Sequence, residues 1–295
     1  KRGGGVYVDA STFKMRTHTI GPTNKATVDD GGGLYLTGAI VSATTDLASV
    51  ITKNEAAKDG GGVYIGPLAG NASYTLTGTN SKIESNTAVQ HGGGVYADGA
   101  AVTVTVDDKA TIKSNTATLN GGGVYGANSA TIKVKGMSVV ESNTAVDGGG
   151  LYMLKATCQV TSSTLKTNTA TRNGGGWHAD GSTMTLTDVT VTTNTAATNG
   201  GAGYMTKAVA GAGVASSVAL TGASSQLTSN TATAGGGGGI YFHDSTTGTI
   251  TSATLKSNTA TAGAGGGLYV STSAVVTMAG AIIDGNIAGT DGGGV

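Results

Sequence analysis

Short runs of alternating apolar and polar residues recur along the whole chain, and three such runs make up each repeat. Residues 34–36 (Leu-Tyr-Leu) exemplify the first run and residues 102–106 (Val-Thr-Val-Thr-Val) the second, while the third leads into an asparagine, as in residues 112–115 (Ile-Lys-Ser-Asn). Alternation with a period of two is typical of β-strands, and the β-branched and aromatic residues in these runs favour the same structure. The pattern therefore predicts three short strands per repeat.

The repeat has two motifs that keep a constant order. One is a run of glycines followed by an aliphatic residue and a tyrosine, and the other is Asn-x-Ala. Tyrosine follows the glycines at positions Tyr7, Tyr35, Tyr64, Tyr96, Tyr125, Tyr152, Tyr204, Tyr241 and Tyr269, and Trp177-His178 replaces the aliphatic-Tyr pair once. The asparagines are Asn24, Asn54, Asn86, Asn115, Asn143, Asn168, Asn194, Asn230, Asn258 and Asn286. The period of about 29 residues indicates a solenoid, a propeller or another repeat array.

Among these architectures, a parallel β-helix fits the pattern best. A propeller blade needs roughly 40 residues, and the helical and leucine-rich repeats need helical periodicity that this chain lacks. We therefore expect an all-β, right-handed parallel β-helix of about ten coils that forms a single domain over residues 1–295. Coils stack about 4.8 Å apart, so ten coils would span roughly 48 Å.

The recurrent asparagine predicts a ladder inside this solenoid. Side-chain amides in the same place on successive coils can hydrogen-bond to one another, as they do in other stacked sheets. We expect this asparagine ladder to include every copy from Asn54 to Asn258. The Ala two residues after each Asn suits a cramped inward corner.

Composition and charge narrow the function classes. The chain has 17 basic and 17 acidic residues, and its formal net charge is zero. A nucleic-acid partner is not expected, because such proteins carry basic patches. No apolar run approaches the ~20 residues of a transmembrane helix. The chain begins with Lys1 and carries no recognisable signal peptide, so we expect a section of a longer protein or a matured product. Cys158 is expected to be a buried apolar residue.

The paired motifs resemble the repeats of the chlamydial polymorphic outer-membrane proteins. The signatures of that family are Phe-x-x-Asn and Gly-Gly-Ala-[Ile/Leu/Val]. This chain has Ile, Leu or Val in place of the Phe and Gly in place of the Ala, and the resemblance covers essentially its whole length. The resemblance implies a right-handed β-helical passenger at a cell surface, with adhesion as its role.

One column of residues could carry catalysis. Asp30, Asp59 and His91 precede the glycines on three successive coils. Carboxylates on adjacent coils would lie about 5 Å apart, as in retaining glycosidases, and parallel β-helices include polysaccharide lyases and hydrolases. The column continues, however, with Asx residues that suit a turn before glycine, and no Lys or Arg is expected beside it. These Asx residues are Asn120, Asp147, Asn173 and Asn199. We therefore expect the residues of this column to form turns and to bind neither a cofactor nor a metal. The alternative is a carbohydrate-active enzyme that uses Asp30, Asp59 and His91.

The tyrosines, with His178 among them, form a second column. If the flanking aliphatic residues point inward, this tyrosine column points outward. Exposed aromatic rows can stack on sugar rings or bind a protein partner, and they can also only stack on one another. We expect a contact face that runs from Tyr7 to Tyr269.

Two further features concern the surface and the ends. Asn71-Ala72-Ser73 is an acceptor sequence for N-glycosylation. Neither end shows the polar cap that a solenoid needs, so we expect either that the chain continues beyond these residues or that copies stack head to tail, and head-to-tail stacking would make a fibre. The sequence thus predicts a non-enzymatic, extracellular structural or adhesive rod and, as one form of it, a fibre subunit. Its expected partners are its own copies, glycans or other molecules at a cell surface.

Overall fold

The computed structural model describes residues 3–38, 40–66, 71–208 and 213–295, although the side chains of residues 40–42 are not described. In this part of the chain, ten coils form a parallel β-helix, as predicted. Four sheets run along it, and each contains ten strands in sequence order. Each strand pairs in parallel with the equivalent strand of the next coil, so that Tyr7 lies opposite Tyr35 and Val104 opposite Ile132.

The first sheet follows the glycine runs, and the second carries the longer alternating runs. The strands of the first sheet are Val6–Asp9, Leu34–Thr37, Val63–Ile65, Val95–Asp98, Val124–Ala127, Leu151–Leu154, Trp177–Asp180, Gly203–Thr206, Ile240–Phe242 and Leu268–Val270. The strands of the second sheet are Thr12–Arg16, Ile40–Asp46, Asn71–Thr77, Val102–Asp107, Thr131–Val134, Thr157–Thr161, Thr183–Thr187, Ser217–Thr221, Thr247–Thr251 and Val275–Ala279.

The third and fourth sheets lie on either side of the recurrent asparagine. The strands of the third sheet are Thr19–Ile20, Val50–Thr52, Lys82–Glu84, Thr111–Lys113, Val139–Glu141, Thr164–Lys166, Thr190–Thr192, Gln226–Thr228, Thr254–Lys256 and Ile282–Asp284. The strands of the fourth sheet are Lys25–Ala26, Glu55–Ala56, Thr87–Ala88, Thr116–Ala117, Thr144–Ala145, Thr169–Ala170, Thr195–Ala196, Thr231–Ala232, Thr259–Ala260 and Ile287–Ala288.

The prediction of three strands per coil was wrong by one strand. The residue before the asparagine has a left-handed backbone, with φ of 57° at Ser85 and 54° at Ser114. A left-handed residue turns the chain and ends a strand. The third run therefore stops at this residue, and the following Thr-Ala pair forms a separate two-residue strand.

The interior is filled by the inward side chains of all four strands. Leu36, Leu76 and Ile83 are completely buried, and so is Cys158, where burial raises the pKa of the thiol to about 12. In the fourth strand only Ala points inward. Ala88 is also completely buried, because it fills a narrow corner of the coil.

The asparagine ladder runs through this interior. The Asn86 side chain donates from Nδ2 to Asn115 Oδ1 and to the carbonyl of Ile51, both at 3.0 Å. Its own Oδ1 accepts from the backbone N–H and the side chain of Asn54. The same pattern extends from Asn24 to Asn286. A buried amide can stay in this apolar interior because its donors and its acceptor are paired.

The glycines lie where the chain passes close to this ladder. A Cβ on Gly62 would come within 2.6 Å of the Gly94 carbonyl oxygen and 3.0 Å of Asn86 Nδ2. Gly60, two residues earlier, has a φ of +66°. The glycine run is therefore needed both for its backbone conformation and for the close approach between coils.

Candidate functional site

The predicted catalytic column is a series of hydrogen bonds between coils. Asp30 Oδ1 accepts from the backbone N–H of Asp59 at 3.2 Å, and Asp59 Oδ1 accepts from the backbone N–H of His91 at 2.9 Å. Asp147 and Asn173 make the same kind of bond to the coil that follows each of them. One oxygen of each side chain thus fixes the turn of the following coil, which is the role expected of Asx residues before glycine.

Electrostatics distinguish Asp59 within this column. Burial raises its pKa to about 6, and the neighbouring charge of Asp30 acts in the same direction. The hydrogen bond from His91 opposes this shift. Burial also lowers the pKa of His91, whose ring stacks on Tyr125 with centroids 4.6 Å apart. Asp59 is therefore a carboxyl group that titrates unusually close to neutral pH.

A second group of ionisable residues lies further along the same column. Asp147 is buried and forms an ion pair with Arg172 of the next coil, whose Nε lies 3.0 Å from Asp147 Oδ1. His178 is also buried, and its Nδ1 lies 3.8 Å from Asp147 Oδ1. On the same strand as His178, Asp180 accepts from the Tyr152 hydroxyl at 3.4 Å. We call Asp147, Arg172, His178 and Asp180 the Asp147 cluster.

Burial dominates the electrostatics of the Asp147 cluster. It lowers the pKa of His178 to about 4, even though the charge of Asp147 opposes the shift. A backbone interaction with Asn173 also opposes the shift. Oδ1 of Asp180 is buried without a hydrogen-bond partner. Burial also raises the pKa of Asp180, and the hydrogen bond to Asp147 raises that of Arg172. The histidine is therefore neutral at pH 7.

The tyrosine column lies on the outer side of the first sheet, and its rings stack on each other. Ring centroids are 5.3 Å apart for Tyr7 and Tyr35, 4.8 Å for Tyr35 and Tyr64, and 5.1 Å for Tyr64 and Tyr96. His178 continues the column at 4.7 Å from Tyr152. Contacts of this kind reach Tyr204, Tyr241 and Tyr269.

Stacking removes most of the exposure expected for this contact face. Tyr35 is 4% exposed and Tyr152 is 7% exposed, whereas Tyr7 at the first coil is 50% exposed. Both faces of an inner ring touch neighbouring rings, so these faces are closed to a sugar. The expectation of an exposed aromatic row is therefore wrong for most inner tyrosines, because aromatic side chains one coil apart cover each other. Tyr96 and Tyr241 are half-buried.

The family model of the right-handed β-helix region matches residues 107–294. The chain belongs to the right-handed β-helix family. No curated protein and no solved structure matched it in the corresponding comparisons. The resemblance to polymorphic outer-membrane proteins therefore rests on the repeat motifs alone.

In this right-handed β-helix, the candidate catalytic residues predicted from the sequence are not the residues that form the ionisable cluster around Asp147. Asp30, Asp59 and His91 lie on neighbouring coils, and the sequence predicts no Lys or Arg beside their column. Arg172 lies directly beside Asp147, so that statement was wrong. The sequence feature that could have indicated this contact is the position of Arg172 immediately before Asn173, which belongs to the same column as Asp147. Its significance appears only when two coils are stacked.

The remaining predictions concern metals, glycosylation and membranes. Among the described residues, no three His, Cys, Asp or Glu side chains come close enough together to hold a metal ion. Asn71 is exposed at the start of its strand in the second sheet. No helix in the described ranges has the length and apolar character needed to cross a membrane.

Proposed function

We propose that this right-handed β-helix is a non-enzymatic structural rod that acts outside the cell and adheres through its outer surface. The observation that carries the proposal is the use of its polar side chains. Asparagines, aspartates and tyrosines in equivalent positions bind the next coil rather than converge on one groove. The extracellular, adhesive part of the proposal is supported by the resemblance to surface-displayed repeats.

Ion pairs on the outer surface support the same role. Lys58 lies 2.9 Å from Asp29 of the preceding coil, and Lys135 lies 2.9 Å from Asp107 of the preceding coil. Glu141 lies between Lys113 and Lys166 of its two neighbouring coils. Exposed ion pairs contribute little stability individually. Each of these pairs joins neighbouring coils, and a shift in register would separate its partners.

The adhesive surface is assigned to threonine and serine hydroxyls, since the inner tyrosine faces are closed. In one coil all six outward positions of the second, third and fourth sheets are threonine. They are Thr183, Thr185, Thr187, Thr190, Thr192 and Thr195. These six side chains supply hydroxyl donors and acceptors without any charge of their own, which suits a neutral polysaccharide.

Glycan binding tests the adhesive part of the proposal. We expect the protein to bind neutral polysaccharides on an array, and the variant Thr183→Lys/Thr185→Lys to bind at least about 10-fold more weakly. Thr27→Lys, an exposed change at a different corner, is the matched control and should bind normally. Binding that is equal in all three proteins would reject this surface.

Electron microscopy tests the structural part. We expect rods, or, if copies stack end to end, filaments with an axial repeat of roughly 48 Å. Compact particles without a rod shape would contradict the proposal. Expression in a glycosylating host would test Asn71, since an attached glycan should be lost in Asn71→Gln.

The second candidate is a carbohydrate-active enzyme, and the Asp147 cluster is the observation that favours it. There a carboxyl group with a raised pKa, Asp180, lies near a second carboxylate, an arginine and a histidine. Retaining glycosidases also use two carboxyl groups. If this candidate is correct, polysaccharide cleavage should be measurable by new reducing ends and should be abolished by Asp180→Asn. Asp284→Asn, on the last coil, is the control.

A further inference from the structure

The tyrosine column is an unbroken series of aromatic contacts, although a structural rod does not require a phenol at each position. From Tyr7 to Tyr152 six rings follow one another with centroids 4.8 to 5.3 Å apart and interplanar angles of 15° or less. The transfer of an electron between two rings falls steeply with the distance between them. Near-parallel rings in van der Waals contact are therefore the favourable case.

The hydroxyl groups of two of these tyrosines also form hydrogen bonds with aspartate carboxylates. Tyr96 donates to Asp98 Oδ2 at 3.4 Å, and Tyr152 donates to Asp180 Oδ2 at the same distance. Asp98 is 8% exposed, and Asp180 Oδ1 is buried without a hydrogen-bond partner. A phenol that loses an electron becomes a strong acid, so an adjacent carboxylate can accept its proton. Tyr125 stacks between these two tyrosines.

We propose that the tyrosine column relays one-electron oxidation along the rod, with Tyr96–Asp98 and Tyr152–Asp180 as the sites where the radical rests. A one-electron oxidant removes an electron from Tyr96, and the phenolic proton moves to Asp98. This gives the reduced oxidant, a neutral tyrosyl radical and a protonated Asp98. An electron then passes from Tyr152 to Tyr96 through Tyr125. Tyr96 regains its proton from Asp98, and Tyr152 gives its proton to Asp180.

His178 ends this relay. Its neutral imidazole is much harder to oxidise than a phenol. It also lies tilted by 40° to Tyr152 and by 60° to Tyr204, unlike the parallel rings before it. The column is thus divided into a series of six tyrosines and a series of three, and the Asp180 site lies where the longer series ends.

The test uses a photo-oxidant and a radical sink. A ruthenium polypyridyl complex is attached at Asp9→Cys, on the same strand as Tyr7, while the native Cys158 is buried. Tyr152 is replaced by 3-aminotyrosine, which is oxidised more easily and has a distinct radical spectrum. The sink lies five coils away, roughly 24 Å. After a laser flash in the presence of a sacrificial electron acceptor, we expect the aminotyrosyl radical to form.

Removal of hydroxyls from the middle of the series should stop the transfer. Tyr64→Phe/Tyr96→Phe keeps the stacked rings, yet it should reduce the aminotyrosyl yield at least about 10-fold. Tyr74→Phe is the matched control, because Tyr74 is buried on the core side and its hydroxyl bonds to Thr45. An undiminished yield in the double variant, or no aminotyrosyl radical in the parent, would overturn the proposal. Tyr125→Phe provides a single substitution if the double variant does not fold.

The same arrangement tests the role of His178. With the 3-aminotyrosine placed at Tyr241, the yield should be low in the parent and should rise at least about 5-fold in His178→Tyr. An equal yield in both proteins would show that His178 does not end the relay.

Discussion

The indole ring of Trp177 occupies the space beside Gly203, its register partner in the next coil. A Cβ at position 203 would lie 2.0 Å from Cε2 of Trp177. The coils on either side have aliphatic residues at this place, namely Leu151 and Ile240. A large residue in one coil is thus compensated by the absence of a side chain in the next, which keeps the core filled at constant coil spacing.

This relationship predicts strong coupling between the two positions. Gly203→Val alone should destabilise the protein by roughly 3 kcal/mol or more, because the new side chain has no room. Trp177→Leu alone should also destabilise it, since it leaves a cavity. The double variant restores the aliphatic column and should recover most of the loss. Denaturant unfolding of the four proteins measures the coupling, and additive effects would argue against this packing.

His178 should make the protein less stable in acid. Its pKa is about 4 in the folded protein and about 6.5 when unfolded. Between these values the unfolded state binds more protons, so stability falls as the pH is lowered from 6.5 to 4. The loss should approach roughly 3 kcal/mol. His178→Tyr should remove this contribution when unfolding is measured at several pH values.

The control for this pH effect is Tyr204→Phe, which alters a neighbouring ring without altering the histidine. Its stability difference from the wild type should stay constant between pH 4 and 7. A His178→Tyr difference that is equally constant would contradict the assigned pKa.

Asp59 should act in the opposite direction. The pKa of Asp59 is about 6 in the folded protein and about 3.8 in the unfolded chain, so the folded state binds more protons between these pH values. Ionised Asp59 therefore costs stability at pH 7, and this cost disappears as the pH falls through 6 toward 3.8. Asp59→Asn should stabilise the protein at pH 7 by about 1 kcal/mol after allowance for solvent screening.

The amide should fit this site, because Oδ1 can still accept from the backbone of His91 and the same column already has Asn at position 120. The gain at pH 7 and its disappearance at pH 4 can be read from thermal unfolding. A stabilisation that is equal at both pH values would show that charge is not its cause.

The asparagine ladder predicts a large effect from a single substitution. Asn143 donates to Asn168 and to the Ile112 carbonyl, and it accepts two bonds from Asn115. Asn143→Ala should cost roughly 3–5 kcal/mol, because it leaves several buried groups without partners. Gln90→Ala, at an exposed position, should have little effect. Equal chemical denaturation midpoints for these two variants would contradict the importance of the ladder.

The periodic part of the fold could be predicted from the sequence. The contact between two residues that each depart from the repeat, Trp177 and Gly203, could not be predicted. Asn86 and Ala88 repeat at a fixed spacing, so every copy reports the same environment and the inward direction can be inferred. Trp177 and Gly203 each break the pattern once. Their relation depends on which coil lies next to which, and on the shapes of two side chains in contact.

The candidate site also combines features that the sequence determines with features that only the folded structure shows. The sequence alone determined that the chain is a stack of about ten β-coils with an internal asparagine ladder, because a period repeated ten times leaves little freedom to the backbone. Only the tertiary structure decided that the tyrosines cover one another, that the residue before the asparagine ends a strand, and that Arg172 meets Asp147. Each of these depends on burial or on distances between coils, and equivalent residues of neighbouring coils are 25 to 37 positions apart in the chain.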